Sequence, residues 1–217
     1  MNRPTLIIGN KNYSSWSLRP WLAMKQAEIA FDEVRIPLYD EGSKQEIERY
    51  SKAGKVPVLI DDGVTVWDSL AICEYLAERH PLLWPDDASA RAVARSVSAE
   101  MHSGFASLRT HLSMNIRKSY AGKGRVPEAE RDIARILEMW EDCRNRFGAG
   151  RPFLFGRFSI ADAMYAPVHL RFRTYGVAVP ASLRAYGEAV LQLPAMREWI
   201  SAAEAEAETI PAFDVYG

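Results

Sequence analysis

Ser14-Ser15-Trp16-Ser17-Leu18-Arg19 joins an apolar, strand-like run, Leu6-Ile7-Ile8, to a helix-like run that opens near Ser17. Three hydroxyls therefore gather where a strand hands over to the first turn of a helix. Such a terminus carries unpaired N–H groups and a partial positive charge. It favours an anion, a thiolate included. A helix cap alone would account for one serine, so the stretch has to be read beside two later segments.

The first is Lys55-Val56-Pro57-Val58-Leu59-Ile60. A proline at the mouth of a short β-branched run cannot donate to a ladder, which suits an edge entry or a cis turn. The second is Val66-Trp67-Asp68-Ser69-Leu70-Ala71-Ile72, where a strand passes into a helix through an acid and a hydroxyl. Either Asp68 or Ser69 suits the cap of that helix.

Around these segments the pattern predicts a strand at 5–9, a helix at 17–28 with Pro20 in its first turn, and a strand at 31–36. A polar stretch at 43–51 reads as a short helix or a loop. Val58–Ile60 and Val64–Trp67 flank Asp61-Asp62-Gly63, a hairpin turn, and a helix follows at 69–79. Strand–helix–strand implies a parallel pair with a crossover; the hairpin adds an antiparallel pair. Pro81-Leu82-Leu83-Trp84-Pro85-Asp86-Asp87 reads as a linker bounded by helix-breaking prolines. Beyond it the chain reads helical. Val93, Val97, Met101, Leu108 and Leu112 form one stripe along a helix at 90–116. Further helices are expected at 127–147, from Ser159, at 182–193 and at 194–208. Ser159-x-x-Asp162 before an apolar run is a capping-box variant and is read as structural.

In order and spacing these motifs resemble the cytosolic-type glutathione S-transferases over nearly the whole chain. The Ser-Ser-Trp-Ser-Leu-Arg segment is similar to the zeta-class signature Ser-Ser-Cys-Ser-X-Arg, a class that includes maleylacetoacetate isomerases. Val56-Pro57 is similar to the family's cis-proline loop, Asp68-Ser69 to its acid–serine pair, and Phe158-Ser159-Ile160-Ala161-Asp162-Ala163 to its helix-capping box. Trp16 departs from the pattern: it stands where the zeta class has cysteine, beside the sulfur site.

The resemblance implies an α+β, thioredoxin-like glutathione-binding domain over residues 1–80, a linker at 81–87 and an all-α domain over 88–217. It implies glutathione as co-substrate and a homodimer in which the first domain meets the partner's helix at 90–116. Ser14 is expected to face the sulfur, with Ser15 as neighbour or substitute and Tyr13 as the rival that tyrosine classes would favour. Val56 would pair its backbone with the cysteinyl part, with Pro57 turning that backbone outward. Asp68 would meet the amino group and Ser69 the adjoining carboxylate. Lys55 or Lys52 is the candidate for the glycyl carboxylate. The second substrate is expected between the domains, against Met101, Phe105, Met114 and the Arg171-Phe172-Arg173 run. Arg19 is a further candidate for a substrate carboxylate.

The chemistry follows from the thiol. Near its ordinary pKa of ~8.5 it is mostly protonated at neutral pH, yet the thiolate is the nucleophile. A serine cannot act as base there, but it can donate a hydrogen bond to the sulfur anion. Lowering the thiol pKa by two units needs about 2.7 kcal/mol. That lies within reach of one charge-assisted bond plus a helix terminus. Three functions share this thiolate or this fold: conjugation to a small electrophile, cis–trans isomerisation of a maleyl-type acid, and a non-catalytic interaction module.

Composition narrows the field. The 217 residues are 48% apolar and 25% charged, as in a globular protein. A net charge of −1 gives no reason to expect nucleic acid or an anionic membrane as partner. The longest apolar runs fall short of a membrane span. Met1-Asn2-Arg3-Pro4 lacks a signal-peptide core, so a cytoplasmic location is expected. Cys73 and Cys143 lie far apart and read as buried, inert thiols. His80, His102, His111 and His169 show no ligand spacing, so no metal is expected.

Overall fold

The structure is a computed structural model that describes residues 3–214 and 216; the leader reading at Met1 and Asn2 falls outside them. The first part of the chain runs β1 (Thr5–Ile8), α1 (Ser15–Gln26), β2 (Asp32–Arg35), α2 (Ser43–Tyr50), β3 (Val58–Asp61), β4 (Val64–Val66) and α3 (Ser69–Arg79). A 3-10 turn at Pro81–Leu83 leads into α4 (Ala88–Ser103), α5 (Ala106–His111), α6 (Pro127–Phe147), α7 (Ile160–Tyr175), α8 (Ala181–Leu191) and α9 (Pro194–Ala205). A second 3-10 turn at Pro211–Phe213 follows.

The sheet has the order β2-β1-β3-β4. β1 pairs parallel with β2, Ile7 opposite Val34, and antiparallel with β3, Leu6 opposite Leu59. The alternation of a strand explains why Leu6-Ile7-Ile8 is apolar throughout. Leu6 and Ile8 join the main core with α1 and α3, while Ile7 turns to the other face and packs with Ile36, Ile47 and Val58. Ile47 thereby anchors α2 over that second face. Asp62 and Gly63 both sit at positive φ, 46° and 81°, as a two-residue hairpin turn requires.

α1 begins at Ser15, two residues earlier than expected, because Ser14 caps it: its hydroxyl accepts from the Ser17 N–H at 3.3 Å. The stretch at 43–51, open between helix and loop, is helical. The expected continuous helix at 90–116 is two helices. α4 closes with Gly104 N–H donating to the Glu100 carbonyl, and Phe105 turns the chain at φ 59° before α5 starts. The apolar stripe hid this break, because Met101 and Leu108 bury toward the same core on either side of it. α9 stops at Ala205 rather than 208. There Glu206 leaves the helix, and its carboxylate accepts from the backbone N–H of Lys11 and Asn12 at 2.6 and 3.0 Å. The C-terminal segment thus straps across the loop that precedes α1.

Residues 81–87 are anchored at their middle, where Leu83 and Trp84 are buried in the main core, while Pro81, Leu82, Asp86 and Asp87 are exposed. That core is continuous across the chain. α1 packs on α7 as well as on α3, and Trp21 meets Trp199 of α9 edge to face, 5.0 Å between centroids. The Ser159–Asp162 box opens α7 as read from the sequence, with the Asp162 carboxylate accepting from the Ser159 N–H at 2.8 Å.

Candidate active site

Ser14 lies at the N-terminus of α1, where β1 delivers the chain. Its hydroxyl donates to Ser17 Oγ at 2.7 Å, and Ser17 Oγ in turn accepts from Gly9 N–H at 3.1 Å. The Ser14 O–H bond can therefore rotate to another acceptor while its oxygen still caps the helix. Ser14 lines a cleft of about 500 Å³ together with Tyr13, Trp16, Tyr39, Lys55, Val56 and Phe213. A second cleft of about 340 Å³ adjoins it, sharing Trp16, Lys55 and Val56 and adding Pro57, Asp68, Ser69 and His102. Hence Ser14, Lys55, Val56, Pro57, Asp68 and Ser69, read from three separate segments, border one pair of neighbouring clefts. The Val56–Pro57 peptide is cis. A larger groove, about 610 Å³, lies between the end of α1, the end of α3 and Arg157-Phe158, and holds none of these residues.

Asp68 both caps and faces the cleft. Oδ1 accepts from the N–H of Leu70 and Ala71 at 3.0 and 3.2 Å, while Oδ2 meets His102 Nε2 at 2.9 Å. Ser69 Oγ is buried with no partner among the described residues. Lys55 is exposed at the rim of both clefts, and Lys52, also exposed, lines neither.

The rivals of Ser14 are otherwise engaged. Ser15 lines neither cleft; its hydroxyl accepts from Arg171 Nη2 at 3.2 Å in the buried contact between α1 and α7. Tyr13 presents its ring to the cleft, but its hydroxyl donates to Asp214 at 3.3 Å and accepts from Arg117 and from Ile210 N–H.

The second-substrate candidates are placed elsewhere. Met101, Phe105, Met114 and Phe172 are buried in the main core and line neither cleft. Arg171 and Arg173, two residues apart on α7, point opposite ways: Arg171 is buried and Arg173 exposed. Arg19 is fully buried, and none of its guanidinium nitrogens has a partner among the described residues. Burial, reinforced by Arg109 and Arg171, holds it well below the ordinary arginine range; burial also pushes Arg171 down to about 9. The guanidinia of Arg19 and Arg109 pack on the Trp16 indole, 4.3 and 4.5 Å from its centroid. The bulky residue at the cysteine position is thus a braced wall shared by both clefts. Tyr39 and Phe213 line the larger of the two clefts and His102 the smaller. No local motif marks them, since each arrives from an element distant in sequence.

Cys73 and Cys143 are buried, and burial pushes both thiols up to about 12, which leaves them unreactive. Burial pushes His169, stacked on Trp140, down to about 3. Among the described residues no three His, Cys, Asp or Glu side chains gather as a metal site, and no helix is long and apolar enough to cross a membrane.

Two family models match this chain: the glutathione S-transferase N-terminal domain over residues 13–79 and the C-terminal domain over 124–202. Maleylacetoacetate isomerase of Rattus norvegicus is 31% identical over 76% of this chain and 76% of its own. A zeta-class glutathione S-transferase of Euphorbia esula is 26% identical over 89% of this chain and 88% of its own. Among solved structures, a glutathione transferase homologue from Burkholderia, crystallised with bound glutathione, aligns with a TM-score of 0.73 at 24% identity. It covers 94% of this chain and 100% of that one. The chain belongs to the glutathione S-transferase family, with maleylacetoacetate isomerases and zeta-class transferases among its relatives.

Proposed function

We propose that this enzyme binds glutathione along the two clefts and activates its thiol for attack on a small electrophile, with the Ser14 hydroxyl donating to the sulfur. One observation carries this reading. Of the three competing hydroxyls, that of Ser14 belongs to a cleft-lining residue and donates only to Ser17 Oγ, whereas Ser15 lines neither cleft and the Tyr13 hydroxyl is held by Asp214, Arg117 and Ile210. The thiol proton leaves to solvent. The thiolate is then held by the Ser14 O–H and the positive end of α1. Val56 supplies backbone pairing, Pro57 shapes that turn, Lys55 answers the glycyl carboxylate, and Asp68 and Ser69 take the γ-glutamyl end.

The names of the rat and other curated relatives favour a second reading, isomerisation of a maleyl-type acid. There the thiolate adds to the double bond, the resulting single bond rotates, and the thiolate leaves, so that glutathione is regenerated. Both readings begin with the same thiolate. Activity assays with glutathione against a panel of electrophiles and against maleylacetone separate them; turnover with neither would overturn both.

Asp68→Ala is expected to weaken glutathione binding at least tenfold by calorimetry, since the ligand's ammonium loses its counter-charge. Unchanged affinity would remove Asp68 from the site. We further propose a homodimer in cytoplasm. β4 is an edge strand; Val64 in it and Trp67 just after it are 48% and 55% exposed. Sedimentation at micromolar concentration should give about twice 24.4 kDa; a 24.4 kDa species alone would refute it.

A further inference from the structure

We propose that His102 is a positioning residue that fixes the Asp68 carboxylate for the amino group of the ligand's γ-glutamyl end. The helical part of the chain would then complete a grip otherwise built by the sheet-bearing part. This rests on the glutathione-binding reading above and adds a residue to it.

The geometry begins with what the cap leaves undone. Asp68 Oδ1 is spent on the Leu70 and Ala71 N–H groups, whereas Oδ2 has no partner from α3. The side chain is about half exposed, at 51%. A single anchored oxygen does not set the plane of a carboxylate, so Oδ2 needs a second restraint. His102, near the end of α4, supplies it with Nε2 at 2.9 Å.

The imidazole is itself held. It lies edge-on to the Trp16 indole, 5.4 Å between centroids and 76° between planes, and Trp16 is braced by Arg19 and Arg109. Both His102 and Asp68 line the smaller cleft.

Charge explains why a histidine suits this position. A histidine, which carries no permanent charge, offers one N–H from Nε2 to the Asp68 carboxylate, whose negative charge is the feature the ligand reads. That charge, with its remaining lone pairs, is then available to an ammonium. A lysine or arginine in the same place would hold the carboxylate equally well but would cancel the charge that the ligand reads. The ligand class that follows is a peptide whose end carries a free ammonium, and a deaminated analogue should be indifferent to residue 102.

Calorimetry on the full chain provides the test, with glutathione and with its deaminated analogue, glutaryl-cysteinyl-glycine. His102→Ala should weaken glutathione about tenfold and leave the analogue unchanged. His102→Gln, which keeps a neutral N–H donor, should recover most of the loss. His102→Arg should weaken glutathione despite restoring a donor. In an Asp68→Ala background, His102→Ala should add nothing further. Equal losses for glutathione and analogue would show a merely structural role and overturn the proposal. So would an unchanged affinity in His102→Ala when Asp68→Ala weakens binding. If His102→Ala fails to fold, the Gln and Arg variants decide on the same criterion: recovery by Gln with loss in Arg supports it, and equal behaviour refutes it. Failure of the wild-type chain to bind glutathione at all would instead sink the functional reading on which this rests.

Discussion

Ser14→Ala is expected to lower turnover by roughly 10²–10³-fold, the cost typical of losing one preorganised donor aimed at developing negative charge. The hydroxyl sits at the N-cap of α1 and lines the cleft, and its proton is held only by Ser17 Oγ at 2.7 Å, from which it can turn to a sulfur. Alanine removes that donor and leaves the helix terminus, so part of the anion stabilisation survives. The same change removes a cap, worth about 1 kcal/mol of stability. Turnover is therefore to be compared where thermal melts show both proteins folded. Ser15→Ala should have a smaller effect, because its hydroxyl serves Arg171 behind the cleft. A loss of turnover in Ser15→Ala with none in Ser14→Ala would reverse the assignment.

The largest expected loss of stability falls at Asp162→Ala. This fully buried carboxylate accepts from Leu154 N–H at 3.1 Å, from Ser159 N–H at 2.8 Å and from Ser159 Oγ at 3.0 Å. Alanine leaves two buried backbone donors unpartnered, each costing about 1–3 kcal/mol. The expected loss is roughly 3–5 kcal/mol, read as a lower urea midpoint. A change below 1 kcal/mol, on the order of a surface substitution, would show that the box does not hold α7.

The pH dependence has a defined sign. Burial pushes the Asp162 carboxyl up to about 6, against the surrounding hydrogen-bond donors, which favour its ionised form. Its ordinary unfolded value is near 3.9. The native state therefore binds the proton more tightly. The contribution linked to this proton is fully present below pH ~4 and is lost as pH rises through about 6. Urea midpoints across that window should show a component that Asp162→Ala lacks.

What the residues disclosed in advance was local. Leu6-Ile7-Ile8, the Asp62-Gly63 turn and the Ser159–Asp162 box each specify a short element through its own side chains and backbone. The break at Gly104–Phe105 was hidden because burial, which the apolar stripe reports, continues past it while the backbone does not. Within the site, Ser14, Val56 and Asp68 stand in recognisable local motifs. Ser14 and Ser15 are adjacent, and only Arg171, 156 residues further on, separates their roles. Arg19 stands in the same motif, yet its seat behind Trp16 comes from packing among α1, α5 and α7. His102 carries no signal of its own, since its meeting with Asp68 exists only once α4 crosses the start of α3.

The central claim is that a hydroxyl on α1, and Ser14 in particular, stabilises the thiolate of bound glutathione. Thiolate absorbance of the enzyme–glutathione complex, followed against pH, reads that directly. In the wild type the rise should come well below the ~8.5 of an unperturbed thiol. Ser14→Ala should move it upward toward that value. A curve that stays in place in Ser14→Ala but shifts in Tyr13→Phe would contradict the account.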